Sequence, residues 1–378
     1  MITTINNKHN KLNVPNLRFP EFQGEWEKKS LGEIGDSFIG LTYRPTDVVS
    51  EGGLIVFRSS NIQNGCMDYN DIVRVNKNVK EKLITKKDDL LVCARNGSAR
   101  LIGKNAILHE TDANQTFGAF MMVFRSDKNH FVHQLLNTRR YSSQISENLG
   151  ARINQITSSD LSSFEFFFPK ENSEMNKISA LLDLLDERIA TQNKIIDKLQ
   201  SLIKGISNRI FASIQGIEYR MGDIVTITNG NSNVQDAVSQ SKDGLYPFFD
   251  RSEDIKYLPT FLFDKEAIIY PGEGTEFMPR YFKGKFALHQ RCYAIFDFNE
   301  IINARFLYFY LKTRNSYFVK NAVGSTVPSL RLDTFQKLKV IIPSKKIQHS
   351  VSLCLSSMEQ KCNVEKKILH KLYYPRKS

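Results

Sequence analysis

The chain has 378 residues, of which 41% are hydrophobic and 24% are charged, and its formal net charge is +12 at pH 7. This length allows two or three domains with their own cores, and the positive charge predicts a polyanionic partner, either nucleic acid or an acidic protein surface. The sequence has no apolar run near the roughly 18 residues of a membrane span, no signal-peptide core and no Cys-x-x-Cys pair among five cysteines, so we expect a cytoplasmic protein without a disulfide framework or a zinc site.

The first part of the chain is predicted to be a loose polar tail over residues 1–15, followed by a β-rich domain over residues 16–170. Short apolar pieces alternate with turns rich in Gly, Asn and Asp, which is typical of a mixed α/β domain with many loops. One helix is predicted over residues 128–149, ending near Gly150. The apolar pieces include Leu54–Phe57, Leu90–Cys93 and residues 119–124.

The central segment, residues 171–216, is predicted to be one long helix. Between residues 174 and 210, apolar residues recur in alternating steps of four and three, and only Gln192 interrupts nine such positions. This seam predicts a coiled coil, with a single amphipathic helix packed on a globular core as the alternative. The seam residues are Ile178, Leu182, Leu185, Ile189, Ile196, Leu199, Ile203, Ile206 and Ile210.

A second domain is predicted over residues 217–343 and a second long helix over residues 344–378. The face of this helix is weaker, because Lys361 and Glu365 break it. Two half-exposed seams are best buried against each other, so we expect a mixed α/β (α+β) chain whose two globular domains are separated by two long helices in an antiparallel coiled coil. The second seam comprises Ile347, Val351, Cys354, Met358, Ile368 and Leu372.

The same order of glycine and apolar segments occurs twice along the chain. The separation of Gly150 from Gly324 also relates the apolar runs that end in Pro169 and Pro343. Upstream, residues 31–34 correspond to residues 221–224 at a larger separation, so the copies differ by insertions. A period of this length is that of a whole domain rather than of a solenoid unit, whose period is about 20–50 residues, so the chain is a duplicated domain-plus-helix.

Several segments carry a resemblance to a known family. They are VPNLRFPEF at residues 14–22 with EWEKKSLGEI at 25–34, ISALLDLLDERI at 178–189, and GSTVPSL at 324–330 with LKVIIP at 338–343. In their order, spacing and duplication over residues 14–374, they resemble the DNA-specificity (S) subunits of type I restriction-modification systems. The first copy departs from the Gly-Ser-Thr-x-Pro form, since residues 150–156 read GARINQI.

The resemblance implies two target-recognition domains, each reading half of a split sequence in double-stranded DNA. It also implies that the paired helices set the distance between the half-sites and dock two methyltransferase (M) subunits, with restriction or motor (R) subunits added in the full complex. S-adenosylmethionine, ATP and magnesium are then expected on the partner subunits, and no cofactor on this chain.

The chain shows no catalytic motif of its own. It contains no Pro-Pro pair, which a methyltransferase of DNA amino groups would carry. The stretch from Gly97 to Asn105 has the wrong spacing for a phosphate-binding loop and is interpreted as strand–turn–strand, and Gly272-Glu273-Gly274 is interpreted as a turn. The seven histidines form no metal-spaced pair with a carboxylate. We therefore predict a subunit without catalytic or metal-binding residues.

Residues that could contact DNA are more numerous. Arg and Lys recognise guanine and Asn and Gln recognise adenine when loops or helix ends hold them in the major groove, although phosphate contacts are commoner for any single residue. Candidates stand after predicted strands and in Gly-containing turns of both domains. They are Arg58, Asn61, Arg95, Asn96 and Arg100 in the first domain, and Asn229, Asn231, Arg251, Thr275, Arg280, Lys283 and Arg291 in the second.

Two other functions remain open at this point. The coiled coil could serve a protein-interaction scaffold whose basic charge is incidental, or the chain could be the targeting half of a fused restriction-methylation enzyme. Under the favoured hypothesis, the stretches where the two copies disagree, around residues 40–80 and 228–260, would distinguish the two half-sites.

Overall fold

The computed structural model describes residues 3–4, 13–149 and 154–373, so most of the predicted tail and the Gly150 motif lie outside the described residues. The chain divides into unit 1, residues 1–188, and unit 2, residues 189–378, with the boundary inside one long helix. Unit 1 contains β1 (Thr3–Thr4), β2 (Leu17–Arg18), β3 (Glu27–Ser30), β4 (Asp36–Ile39), β5 (Val48–Val49), β6 (Leu54–Phe57), β7 (Ile62–Gln63), β8 (Cys66–Met67), β9 (Arg74–Val75), β10 (Leu90–Cys93), β11 (Asn105–Ile107), β12 (Thr116–Phe117), β13 (Met121–Arg125), α1 (Asn129–Leu135), α2 (Arg139–Leu149), α3 (Ser158–Ser163) and β14 (Glu165–Phe168). Helix α4 (Asn172–Ser213) follows, and then β15 (Ile217–Arg220), β16 (Thr226–Asn229), β17 (Tyr246–Phe249), β18 (Lys256–Leu258), β19 (Phe263–Pro271), β20 (Arg280–Leu288), β21 (Cys292–Phe296), α5 (Ala304–Lys312), α6 (Asn315–Asn321), α7 (Leu332–Gln336), β22 (Lys339–Ile342) and α8 (Lys345–Tyr373).

Unit 1 is built on two four-stranded sheets. Their orders are β11-β10-β13-β4 and β12-β6-β9-β5, and β12 runs parallel to β6. Strand β10 is buried along its whole length, as its continuous apolar sequence predicts for a strand covered on both faces. One apolar cluster packs on each side of this sheet, so the strand ends and their loops are left at the surface to carry polar groups.

Unit 2 has a single six-stranded sheet in the order β16-β21-β19-β20-β17-β18. The nine-residue strand β20 pairs antiparallel with β19 along most of its length and parallel with β17 at its end. In unit 1 the corresponding pairings are divided between β11 and β12, because residues 108–115 leave the sheet between them. One continuous strand therefore makes one sheet where an interrupted strand makes two.

The two units share one hydrogen-bonded frame. The amide of Leu31 donates to the carbonyl of Phe164 over 2.9 Å in unit 1, and the amide of Met221 donates to the carbonyl of Leu338 over 2.8 Å in unit 2. Leu31 and Met221, the two donors, are the first residues of the corresponding segments 31–34 and 221–224. Phe164 and Leu338, the two acceptors, are as far apart in the sequence as Gly150 and Gly324. The antiparallel pair β3–β14 corresponds in the same register to β15–β22. The repeat in the sequence is thus a repeat of backbone pairing.

The helix predicted over residues 128–149 is two helices, α1 and α2. The Thr138 hydroxyl donates to the Leu135 carbonyl over 2.6 Å and accepts from the Tyr141 amide over 3.4 Å. Thr138 thereby terminates α1 and caps α2, a role for which short hydroxyl side chains are favoured. The prediction of one helix was wrong because helical periodicity continues across this break.

The opening VPNLRFPEF segment ties the N-terminal strand to the first turn of α4. Arg18 makes two hydrogen bonds to the Glu174 carboxylate, of 2.7 and 2.8 Å, and both side chains are buried. The Trp26 indole donates to the same carboxylate over 3.2 Å. A carboxylate in the first turn also suits the helix dipole. The residues that carry the family resemblance here therefore have a structural role.

In unit 2, the second part of α4 packs antiparallel on α8. Gln192 donates to the Glu365 carboxylate over 2.6 Å, whereas Ile206 and Ile210, later on α4, pack on the same cluster as Val351, earlier on α8. This opposite order along the two helices agrees with the predicted antiparallel pair. Of the three residues that interrupt the predicted seams, Gln192 and Glu365 are hydrogen-bonded to each other.

The buried face of α4 is the face that the predicted seam places against its partner. Ile189 and Ile196 are buried, and Leu182, Leu185, Leu199, Ile203 and Ile206 are half-buried. At the start of the helix, however, Ile178 packs against the core of unit 1 together with Met175. This end of the predicted seam therefore belongs to a globular core.

The predicted α8 seam is displaced by one residue. Ile347 is 44% exposed and Cys354 is exposed, while Gln348, Ser352 and Leu355 are buried, although Val351, Met358 and Ile368 remain half-buried as neighbours of that stripe. The Gln348 amide donates to the Ile301 and Pro343 carbonyls and accepts from the Asn303 amide. Because these bonds satisfy a buried polar side chain, the apolar pattern alone gave the wrong phase.

Candidate nucleic-acid interface

The loop after β6 in unit 1 is organised by Asn61. Its side-chain amide donates to the carbonyls of Asp68 and Asp71 over 3.0 and 2.9 Å, and its oxygen accepts from the Arg58 amide over 2.9 Å. Asn61 is 0% exposed, which contradicts the prediction that its side chain is a candidate DNA contact. Arg58 is half-buried and forms an ion pair of 2.7 Å with the Asp71 carboxylate, so it also holds the loop.

The turn after β10 lies beside this loop. The Asn96 side chain donates to the Ser59 hydroxyl over 3.0 Å, and its oxygen accepts from the Ser98 amide over 3.0 Å. Arg95 is exposed, and its guanidinium lies over the ring of Phe120 with 5.3 Å to the centroid. Phe120 itself is 58% exposed. The structure therefore brings Arg95 and Asn96 to one sheet end, next to an aromatic ring that faces solvent.

Arg100 is exposed on the 3-10 turn Ala99–Leu101 that follows. It borders a cavity of about 390 Å³ that Gly65, Tyr141 and Ser146 also line. Strands β10 and β11 pair antiparallel on either side of this turn, which confirms the strand–turn–strand interpretation of residues 97–105.

In unit 2, the loop after β17 is held by a buried carboxylate. Asp250 accepts from Lys256 over 2.6 Å and from the Ser252 hydroxyl over 2.5 Å. Burial alone would raise the pKa of Asp250, but these hydrogen bonds outweigh burial and lower it, so the group is ionised at neutral pH. Arg280 donates to the Asp250 carbonyl and, over 2.8 Å, to the Ser252 carbonyl. Arg280, a candidate DNA contact in the sequence, is half-buried here and uses two of its guanidinium nitrogens to hold this loop.

Three further loops meet this one at the same end of the sheet. Arg291 forms an ion pair with Glu273; the Arg291 side chain is 64% exposed and that of Glu273 only 17%. Asn229 donates to the Gln290 carbonyl over 3.3 Å. Burial lowers the pKa of His289, which keeps its ring neutral at pH 7. The loops surround a cleft of about 530 Å³ lined by Val234, Asp250, Arg251, Ser252, Lys256, Glu273, His289, Gln290, Arg291 and Cys292.

The other predicted residues of unit 2 differ in position. Arg251 is exposed at the cleft, and Asn231 and Thr275 are exposed on the loops after β16 and β19. Lys283 lies within β20 opposite Glu266, away from the loops. The predicted set is thus gathered at one sheet end except for Lys283.

Phe120 was not among the predicted residues, because its sequence context is that of an apolar strand. The duplication could have identified it. The Met121 amide donates to the Gly118 carbonyl over 2.8 Å, and the Cys292 amide donates to the His289 carbonyl over 2.9 Å, so these two turns are equivalent. Phe120 precedes Met121 as Arg291 precedes Cys292, and Phe120 therefore corresponds to Arg291.

Neither long helix, nor any shorter helix within residues 13–149 and 154–373, is apolar enough over sufficient length to cross a bilayer. Within the same residues, His, Cys, Asp and Glu side chains form no group of three or more that could hold a metal ion.

Known proteins are similar to this chain in sequence and fold. It resembles the specificity subunits of two type I restriction enzymes of Escherichia coli, EcoDI at 29% identity over 138 residues and EcoKI at 28% over 173 residues. The alignments cover 36% and 44% of this chain but only 30% and 37% of those relatives. A crystal structure of a type I restriction-modification system S subunit from M. genitalium has the same fold, with a TM-score of 0.67 at 18% identity over 93% of this chain and 94% of that one.

The sequence profile of the type I restriction modification DNA specificity domain matches the chain twice, at residues 23–201 and 217–374. Each match includes one sheet end with its loops and one long helix, as the duplicated frame requires. The chain therefore belongs to the type I restriction modification DNA specificity domain family and contains two copies of that domain.

Proposed function

We propose that this chain is the DNA-recognition subunit of a type I restriction-modification complex and that each unit reads one half of a bipartite sequence in double-stranded DNA. The observation that carries the proposal is the repetition of one backbone frame with different side chains at the same sheet end. A shared frame presents the loops in the same way, and the loop residues differ between the copies, so each copy suits a different half-site.

The proposed mechanism is positioning. Lysine and arginine side chains hold the phosphates, which accounts for most contacts in such complexes, and exposed side chains of the sheet-end loops contact base edges. Loops fastened by Asn61 in unit 1 and Arg280 in unit 2 lose little conformational entropy on binding. The antiparallel pair of α4 and α8 provides a stiff element that fixes the unread gap between half-sites.

The partners in this proposal are two methyltransferase subunits and, in the full complex, restriction or motor subunits. S-adenosylmethionine, ATP and magnesium belong to those partners, and this chain has no catalytic role. A methyltransferase must take its target base out of the stack, so a recognition subunit that holds the flanking duplex leaves the base itself free.

The test begins with methylome sequencing of cells that express the chain with its partner subunits. We expect one methylated motif with two specified parts and an unspecified gap. A footprint of the purified complex on that motif should then show two protected patches separated by the same gap.

A matched pair of variants sharpens this test. Arg251→Ala removes a cation at the cleft, whereas Lys265→Ala removes one near the start of β19, where Lys265 pairs with Asp297. We expect the first to weaken protection of one patch and the second to leave both unchanged. Uniform protection, or none from an assembled complex, would instead favour a protein-interaction scaffold.

A further inference from the structure

The two units place different residue pairs at one equivalent position. The Ile156 amide donates to the Ala94 carbonyl over 2.9 Å, and the Leu330 amide donates to the Gly272 carbonyl over 2.8 Å. The next residues along each chain segment are also bridged in the same way, Arg95 with Gln155 in unit 1 and Glu273 with Ser329 in unit 2. Arg95 therefore corresponds to Glu273.

On the neighbouring strand, Phe120 corresponds to Arg291, as the hydrogen bonds before β13 and β21 establish. The first unit thus has arginine on the first loop and an aromatic ring on the second, and the second unit has a carboxylate on the first loop and arginine on the second. In each unit the two residues contact each other. Each unit presents one oriented guanidinium, but from opposite members of the pair.

An oriented guanidinium is the group best suited to guanine. Its planar fork donates two parallel hydrogen bonds to guanine O6 and N7, and a ring or a carboxylate that fixes its plane reduces the entropy lost on binding. Glu273 is mostly buried and opposes the negative phosphates, so its role is to orient Arg291 rather than to attract DNA.

We propose that Arg95 with Phe120 and Arg291 with Glu273 are the guanine-discriminating pairs of the two units. Arg95 and Arg291 contact the base, and Phe120 and Glu273 are positioning residues. Because the arginine comes from opposite loops, the selected guanine occupies different places in the two half-sites. This inference rests on the proposed function, since it assigns specificity within the same DNA site.

The experiment is selection of bound sequences from a duplex library randomised in both half-sites, using the full complex with its partner subunits. Arg95→Lys and Phe120→Leu, which keep the charge and the apolar bulk respectively, should lower the preference for one guanine in the first half-site by roughly 5- to 100-fold. The second half-site should not change. Phe120→Tyr, which restores a ring, should recover the preference.

Glu273→Gln separates positioning from charge. It should lower the guanine preference in the second half-site while binding of random DNA becomes equal or tighter, because a negative charge is lost. Arg140→Ala is the matched control in unit 1, since Arg140 lies over the Phe167 ring at 6.0 Å but on α2. Lys265→Ala is the control ion-pair variant in unit 2. Neither control should alter a base preference.

The outcomes distinguish the two proposals. If wild-type complex selects a bipartite sequence and the four pair residues can be changed without altering any base preference, the discriminating pairs are refuted and the DNA-recognition function stands. If wild-type complex selects no sequence in either half, the proposed function fails and this inference fails with it.

Discussion

The Asn61 amide makes three hydrogen bonds within its own loop, and Arg280 makes two to the corresponding loop of unit 2. Both residue types are typical of DNA contacts, so the sequence predicted both as candidate DNA-binding residues. A side chain can contact a base only if its donors face solvent, and that depends on which carbonyls the folded backbone brings within reach, in the same loop for Asn61 and 30 residues away for Arg280. Arg95, Arg251 and Arg291 remain candidates because they are exposed.

Asn61→Ala should destabilise the loop over residues 58–71. The change leaves the Arg58 amide and the Asp68 carbonyl without these partners, while the Asp71 carbonyl keeps its hydrogen bond from the Arg58 guanidinium, and we expect the free energy of opening to fall by about 2–4 kcal/mol. Native-state hydrogen exchange of the Asp68 amide, which donates to the Asn61 carbonyl, measures this. Gln63→Ala, at an exposed neighbour, should change it by less than about 0.5 kcal/mol. Unchanged exchange in Asn61→Ala would show that its side-chain hydrogen bonds do not stabilise the loop.

At the scale of elements, α4 was predictable and the phase of α8 was not. The predicted seam over residues 174–210 lies within the observed helix Asn172–Ser213, because a long apolar heptad pattern has no competing local structure. On α8, buried Gln348 and Ser352 are satisfied by loop carbonyls and by the helix backbone, which no apolar pattern reveals. The hydrogen bond between Gln192 and Glu365 likewise cannot be predicted from either helix alone, because it depends on how the two helices pair.

The Gln192–Glu365 contact should set the register of the two helices. Gln192→Leu places an apolar group beside a half-buried carboxylate and should lower stability by about 1–3 kcal/mol, whereas Gln192→Leu with Glu365→Leu should recover most of the loss. The measurement is a double-mutant cycle from urea unfolding followed by helical circular dichroism. Gln360→Leu, on an exposed position of α8, is the control. Purely additive effects would mean that the pair does not specify register.

At the scale of the whole molecule, the net charge of +12 should make DNA binding strongly dependent on salt. If six to ten phosphates are contacted, affinity should fall by about a thousand- to a hundred-thousand-fold between about 50 and 200 mM salt. Arg251→Ala, which removes an exposed cation at the cleft, should reduce the slope of log affinity against log salt by about one, and Lys265→Ala should leave it unchanged. An unaltered slope in Arg251→Ala would show that this arginine does not contact phosphate.

The sequence by itself determined the duplication, the core strands and the long helices. Each of them follows from the spacing of apolar residues along the chain or from the repetition of the same order of apolar segments. Only the tertiary structure decided which polar side chains are exposed and which are held by hydrogen bonds within the protein. Arg95 meets Phe120 on a neighbouring strand end, and Gln192 meets Glu365 on the other long helix. Such contacts depend on strand register and helix phase rather than on neighbours in the chain. The order of strands and helices can therefore be predicted from the sequence. Whether a polar side chain in a loop holds that loop or is exposed to contact DNA is decided only when the chain folds.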